Sequence, residues 1–249
     1  DRYYLIKKDI SPTELNKLRS VGDPAIKLHE SKKRVYPQHN IFSNLIGLKT
    51  NELISKIEKN MNEELAEGKN LKLTVDLRIQ NIVREELYES LIEYKAKAAL
   101  AVVMNVKSGE IFSMVSLPDF NPNYPQSILP KTENNLNAEA RYEMGSTLKI
   151  FNAAMVYESE SEIQFNEFDI SEGYQITNEK HILDDHIDEK ILNFDDVFVK
   201  SSNIGSVKIL ESFGPNKQKH FFKKVGLTEN LNIEGLNVVS NKLPTNWES

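Results

Sequence analysis

The spacing of apolar residues predicts a stretch of strand, helix and hairpin that begins near residue 71. Residues 71–75 alternate apolar and polar side chains, which predicts a strand. Asp76 then caps a predicted helix in which apolar residues recur every three or four positions. Segments 98–106 and 110–117 predict two antiparallel strands joined by a turn at Gly109. The apolar stripe of the helix is expected to comprise Leu77, Ile79, Ile82, Val83, Leu87 and Leu91.

Apolar periodicity predicts further helices after residue 145. The first runs from Ser146 to about Tyr157, and two more share the segment 193–214, with a break at Ser201 to Asn203. An amphipathic helix follows and ends at Gly226. Together with the hairpin, these helices predict an α+β fold in which an antiparallel sheet packs against helices. The buried side of the first helix is expected to comprise Leu148, Ile150, Phe151, Ala154 and Met155.

The first 70 residues have a weaker pattern than the rest of the chain. They are polar and irregular, with a short helix predicted near residues 11–18 and a charged segment that ends at Gly68. We therefore predict part of an N-terminal domain over residues 1–70 and a second domain over residues 71–249.

Composition narrows the classes of function. The 249-residue chain has a formal net charge of -6 and no basic stripe, so we expect no nucleic acid partner. The absence of cysteine excludes disulfides and thiolate metal sites. His181 and His186 flank Asp184 and Asp185, but their spacing does not gather them on one helical face, so we predict no metal site.

Ser146 and Lys149 form the one Ser-x-x-Lys pair of the chain. One interpretation is a helix-capping serine followed by a solvated lysine. The other is an activated nucleophile, because both residues would share a face of an apolar helix and enter the domain interior together, and burial would lower the pKa of the Lys149 amine. In that case Gly145 would let a carbonyl substrate approach the backbone, and the helix N-terminus would favour an oxyanion beside Ser146.

Ser201 and Asn203 form the one Ser-x-Asn of the chain, at the predicted break between two helices. Taken alone, such a pair is typical of a helix-capping turn. After a Ser-x-x-Lys pair, however, these residues can relay a proton and hold a substrate. The two motifs together therefore favour acyl transfer through a serine nucleophile.

The two motifs resemble the active-site set of penicillin-binding proteins and serine β-lactamases. Five segments are similar to successive landmarks of class B penicillin-binding proteins, above all the division-specific type: "RVYPQ", "LKLTVDLRIQNIVREEL", "AVVMNVKSGEIFSMVSLPDFNPN", "YEMGSTLKIF" and "VFVKSSNIGSVKI". The resemblance implies a D,D-transpeptidase that crosslinks peptidoglycan stem peptides at the septum without a cofactor. It implies that Ser146 is acylated by stem peptides and by β-lactam antibiotics, and that Lys149 is the general base. Ser201 would relay the proton, and Asn203 would bind the substrate.

The resemblance also implies a cellular setting. Residues 1–70 would be part of a non-catalytic pedestal domain that contacts other cell-division proteins. Family members are anchored in the bacterial inner membrane by an N-terminal helix, and their catalytic domain faces the periplasm. No apolar run of this chain is long enough for such an anchor, so we expect the anchor to be missing here.

The chain departs from the family pattern in its third motif. A Lys-Thr-Gly or Lys-Ser-Gly is expected downstream of Asn203, but the one match, Lys107-Ser108-Gly109, lies upstream in the predicted turn. We therefore expect a C-terminally truncated transpeptidase domain with an incomplete sheet, and poor catalysis by the 249-residue chain alone. Two alternatives stay open: a related β-lactamase or β-lactam sensor, and a non-catalytic division scaffold.

Overall fold

The computed structural model of the chain describes residues 4–31, 33–48, 54–55, 57–128, 132, 134–175 and 181–241. The chain divides into two compact units, a first unit of Asp1–Asn135 and a second unit of Leu136–Ser249. The domain boundary near residue 70 stays a prediction. Over the described ranges, no helix is both long and apolar enough to span a membrane.

Short helices and two-stranded antiparallel sheets build both units, which confirms the predicted α+β class. The first unit contains helices α1 (Pro12–Val21), α2 (Ser43–Ile46), α3 (Ile57–Asn60), α4 (Asn62–Ala66) and α5 (Leu77–Glu93), and strands β1 (Gly47–Leu48), β2 (Ile54–Ser55), β3 (Ala99–Met104) and β4 (Ile111–Leu117). The second unit contains α6 (Leu136–Glu139), α7 (Lys149–Glu158), α8 (Phe194–Val199), α9 (Asn203–Phe213) and α10 (Pro215–Lys224), with strands β5 (Glu167–Asp169), β6 (Tyr174–Gln175), β7 (His181–Ile182) and β8 (Ile191–Asn193). Short 3₁₀ turns cover Pro125–Ser127, Gly145–Leu148 and Glu162–Phe165. The antiparallel pairs are β1–β2, β3–β4, β5–β8 and β6–β7.

The hairpin and the helix predicted after residue 75 are confirmed. Strands β3 and β4 pair from Ala99 opposite Leu117 to Met104 opposite Ile111. The turn between them contains Gly109 at a φ of 77°, a left-handed conformation that glycine adopts without strain. Asp76 caps α5, because its carboxylate accepts from the first free backbone N–H groups of that helix.

The strand predicted over residues 71–75 is wrong. This segment runs beside the start of β4, where the Thr74 hydroxyl donates to the carbonyl of Ile111 at 2.7 Å. The backbone N–H of Asp76 donates to the carbonyl of Phe112 at 2.9 Å. A side-chain hydroxyl therefore takes one of the acceptors that a third strand would need. Alternation of apolar residues alone does not create a ladder of backbone hydrogen bonds.

The buried face of α5 differs from the predicted stripe, because its most buried residue is polar. Gln80 is 1% exposed. Its Nε2 donates to two backbone carbonyls, and its Oε1 accepts from Ser113 Oγ at 2.8 Å and from Met114 N at 2.9 Å. All four hydrogen-bonding positions of the amide are thus satisfied, which makes its burial tolerable. Leu77 and Ile82, two residues of the predicted stripe, are 41% and 58% exposed.

The core of the second unit joins α7, α8 and α9. Val156, Val197, Ile204 and Ile209 are fully buried within it. A Cβ atom at Gly205 would lie 2.6 Å from Cγ2 of Val197, so a glycine is needed for this close approach of α9 to α8. The packing fixes the short break between the two helices, which was predicted at Ser201 to Asn203.

The helix predicted from Ser146 is present as a 3₁₀ turn followed by α7, but its buried side is partly wrong. Met155 is buried, as expected, whereas Ile150 is 68% exposed and Ala154 is exposed. Asn152 and Val156 are buried in their place. The helix is thus rotated relative to the prediction, because a buried polar residue gives no signal in an apolar pattern.

Candidate active site

Ser146 lies within the 3₁₀ turn that leads directly into α7. The turn begins at Gly145, whose φ of 54° is left-handed, and the Ser146 carbonyl accepts from the N–H of Lys149. Ser146 is not the cap of either helical segment, so the capping interpretation is wrong. The side chain is exposed, so the expectation that it enters the interior with Lys149 is also wrong. Ser146 is not a cap because the 3₁₀ turn has already started before it, at Gly145.

The Lys149 amine lies at the centre of a hydrogen-bonded cluster. Its Nζ donates to the carbonyl of Ser201 at 2.6 Å, to Ser201 Oγ at 3.2 Å and to Asn203 Oδ1 at 2.8 Å. The side chain is half-buried, and this burial lowers the pKa of Lys149, although the nearby Asp184 carboxylate partly opposes the shift. A lysine with a lowered pKa loses its proton more readily and can accept one from a hydroxyl.

Ser201 occupies the left-handed position at the end of α8, with a φ of 56°. The N–H of Ser201 donates to the carbonyl of Phe198, and the N–H of Ser202 donates to the carbonyl of Val197. This pair of bonds is the Schellman arrangement, in which glycine usually takes the left-handed position. Here the turn presents both the carbonyl and the hydroxyl of Ser201 to Lys149.

A buried carboxylate holds the other side of the same turn. Asp184 is 6% exposed and accepts from Ser202 Oγ at 2.5 Å, from Asn203 N at 2.9 Å and from Ile204 N at 3.1 Å. Ser202 Oγ in turn accepts from Gly205 N at 2.8 Å, so it caps α9. The capping role of Asp184 has no local signal in the pattern of neighbouring residues, because its partners lie 18 to 20 residues away.

Of the four predicted site residues, three meet in this cluster: Lys149, Ser201 and Asn203. Ser146 lies one turn before Lys149 in the chain, and its Oγ makes no hydrogen bond to any residue that the structure describes. The geometry therefore gives an accessible hydroxyl followed by a partly buried amine. Such an arrangement is open to a carbonyl substrate.

The two histidines near Asp184 are both exposed. His186 is exposed, and its Nε2 lies 3.3 Å from the carbonyl of Lys200. Within the described ranges, no group of three or more His, Cys, Asp or Glu side chains is placed to hold a metal ion. Asp184 instead uses its oxygens on the turn before α9.

Comparison with known proteins places this site in a family. The family model described as the penicillin binding protein transpeptidase domain matches residues 99–249. The chain is similar to the probable peptidoglycan D,D-transpeptidase FtsI of Caulobacter vibrioides, with 28% identity over 246 residues, which covers 96% of this chain and 42% of that protein. It is also similar to stage V sporulation protein D of Bacillus subtilis, with 31% identity over 170 residues, which covers 68% of this chain and 26% of that protein. The chain thus spans less than half of the length of these relatives.

Solved structures share the fold. Penicillin-binding protein A from M. tuberculosis, in an imipenem acyl-enzyme complex, matches with a TM-score of 0.67 and 17% identity, over 83% of this chain and 56% of that chain. The family match and these relatives confirm the resemblance to class B penicillin-binding proteins. The family model matches residues 99–249, which are more than half of this chain, so the chain belongs to the family of penicillin-binding protein transpeptidase domains.

Proposed function

We propose that the protein is a peptidoglycan D,D-transpeptidase that acts through an acyl-enzyme on Ser146. The observation that carries the proposal is the cluster formed by the Lys149 amine with Ser201 and Asn203, one turn after an accessible serine. The names of the relatives support this reaction, since they include peptidoglycan D,D-transpeptidases.

In the proposed reaction, Ser146 Oγ attacks the carbonyl of the penultimate D-alanine of a stem peptide. Lys149, as its general base, takes the hydroxyl proton. The bond to the terminal D-alanine breaks, and Ser201 passes a proton to the leaving amine. An amine on a neighbouring strand then attacks the ester, which forms the crosslink and frees Ser146. β-Lactams would acylate the same serine, and the related mycobacterial structure is an imipenem acyl-enzyme complex.

The positions of Ser201 and Asn203 suit the roles proposed for them. Ser201 Oγ lies 3.2 Å from Lys149 Nζ, so a proton can pass between them without rearrangement of the turn. The oxygen of the Asn203 amide accepts from Lys149, which leaves its nitrogen to donate to a substrate carbonyl. Gly145, left-handed at the start of the turn, leaves open space beside the backbone that precedes Ser146.

The proposed setting is septal cell-wall synthesis in the bacterial inner membrane, with the catalytic domain facing the periplasm. The division and sporulation names of two relatives support it. Residues before about 70 would contact other division proteins as part of a pedestal domain. These assignments concern the complete gene product.

The reaction is tested by release of D-alanine from a synthetic stem peptide that ends in D-Ala-D-Ala, in the presence of an acceptor amine. In the complete gene product, we expect Ser146→Ala to reduce release by about a thousandfold or more, because the nucleophile is lost. Thr147→Ala is the matched control, since Thr147 carries the neighbouring exposed hydroxyl, which donates to the carbonyl of Met144 and to no other residue that the structure describes. Release at the wild-type rate by the Ser146→Ala variant would contradict the proposal.

A further inference from the structure

We infer that Asp184 is a positioning residue of this site, which holds the Ser201–Asn203 turn in place and sets the electrostatic environment of the Lys149 amine. The inference rests on the proposed function for its catalytic meaning. Its geometric part stands on contacts within the second unit alone.

Asp184 binds the turn from the loop between β7 and β8. Its side chain reaches Ser202 Oγ, Asn203 N and Ile204 N at hydrogen-bond distance, at 2.5, 2.9 and 3.1 Å. Asn203 and Ile204 are the first two residues of α9, so their N–H groups have no acceptor within the helix. The carboxylate satisfies both of them and places a negative charge at the positive end of an 11-residue helix.

Ser201 is held between two anchors because of this arrangement. On one side its carbonyl and hydroxyl accept from Lys149, and on the other the next residue, Ser202, donates to Asp184. The left-handed backbone of Ser201 costs free energy, so the turn needs such restraints to persist. Loss of the carboxylate would release the Ser202 side and let Ser201 Oγ move away from the Lys149 amine.

The carboxylate also acts on Lys149 through its charge. Its negative charge favours the protonated amine, against the desolvation that favours the neutral amine. Two other acids on or near α7 are engaged elsewhere: Glu158 pairs with Lys224 at the far end of the helix, and Asp195 accepts from the Tyr157 hydroxyl.

Lys200, next to the turn, is also paired, with Glu189. Asp184 is therefore the negative group, among the residues that the structure describes, whose charge acts on Lys149. Removing it should shift the balance at Lys149 towards the neutral amine.

The experiment compares Asp184→Asn with Asp185→Asn in the 249-residue chain. Asp185 is the matched control because it is the adjacent acid and is exposed. The titration of Lys149 is followed by NMR of its side-chain Cε. We expect the midpoint to move to lower pH in Asp184→Asn, since a group that raised it is gone, and to stay in place in Asp185→Asn. Equal midpoints in all three proteins would overturn the electrostatic part of the inference.

Hydrogen exchange tests the positioning part. In Asp184→Asn, an amide NH2 group, which can only donate, replaces one carboxylate oxygen, and we expect the amides of Asn203 and Ile204 to exchange at least about tenfold faster than in Asp185→Asn. If Asp184→Asn does not fold, hydrogen exchange in the wild type tests the positioning role instead. Ile204 and Asn216 are both second residues of their helices, but α10 has no side-chain cap. We expect Ile204 to be at least about tenfold better protected than Asn216; equal protection would overturn the inference.

Acylation by a β-lactam then separates this inference from the proposed function. In the complete gene product, Asp184→Asn should acylate at least about tenfold more slowly at neutral pH, with the rising limb of its pH profile at lower pH than in Asp185→Asn. A slower rate without a shifted limb would mean that Asp184 acts through structure only, and would overturn the electrostatic part. If the wild type were not acylated at all, the proposed function would fail, while the NMR and exchange results would still decide the role of Asp184.

Discussion

Ser201 stands where glycine is the usual residue, and its hydroxyl, like its carbonyl, accepts from Lys149. A left-handed serine costs about 1 kcal/mol relative to glycine. The side chain that weakens the turn is thus the one that the proposed reaction needs. A substitution of Ser201 can therefore test its effect on the free energy of unfolding and its effect on the reaction in one variant.

We expect Ser201→Gly to leave the free energy of unfolding unchanged or to raise it by up to about 1 kcal/mol, while slowing acylation by a β-lactam at least tenfold. The Ser201 carbonyl still accepts from Lys149 in this variant, so the change isolates the hydroxyl. Urea denaturation and the acylation rate measure the two effects. Ser201→Ala is the control, because it also loses the hydroxyl but keeps the strained backbone. Wild-type acylation by Ser201→Gly would exclude a relay role.

At this scale the sequence predicts the site residues better than their surroundings. Lys149, Ser201 and Asn203 follow from two short motifs, and the structure brings them together. The exposure of Ser146 and the anchoring by Asp184 could not be predicted. Both depend on where a loop lies in space, and a pattern of neighbouring residues carries no information about a contact made 18 residues away.

At the scale of elements, the contact between α8 and α9 determines where the Ser201–Asn203 turn lies. A Cβ at Gly205 would lie 2.6 Å and 2.9 Å from the two methyl carbons of Val197, which is fully buried. Real side chains do not approach so closely, so an alanine here would force the helices apart. The turn between them would then move with respect to α7.

We therefore expect Gly205→Ala to lower the free energy of unfolding by about 1 to 3 kcal/mol, as overpacking does in other cores. Combined with Val197→Ala, which removes both methyl carbons, the same change should cost measurably less. Urea denaturation of the two single variants and the double variant gives this coupling. Additive effects would show that the two residues do not restrain each other.

Elements with a strong local pattern were predictable, and elements that depend on partners were not. The β3–β4 hairpin and the Asp76-capped helix follow from alternation, turn residues and a cap. The predicted strand over residues 71–75 is absent because its backbone forms no ladder of hydrogen bonds with a neighbouring strand. The predicted stripe of α5 missed Gln80 because a polar residue is expected at the surface, whereas the hydrogen bonds that allow its burial are formed only in the fold.

At the scale of the whole molecule, family membership could be predicted because several segments resemble family landmarks in the right order. The family model confirms it over residues 99–249. The chain spans 42% of the length of its Caulobacter relative, so the activity of a whole transpeptidase stays a proposal for it. The proposed acylation takes place at one atom, Ser146 Oγ.

Peptide mapping of a penicillin adduct tests that claim most directly. The complete gene product is treated with benzylpenicillin, digested with trypsin and analysed by tandem mass spectrometry. Cleavage after Arg141 and Lys149 isolates residues 142–149, which contain Ser146. We expect the penicilloyl mass on this peptide, with fragment ions that place it on Ser146. An adduct on any other residue, or no adduct at a concentration that saturates penicillin-binding proteins, would contradict the account.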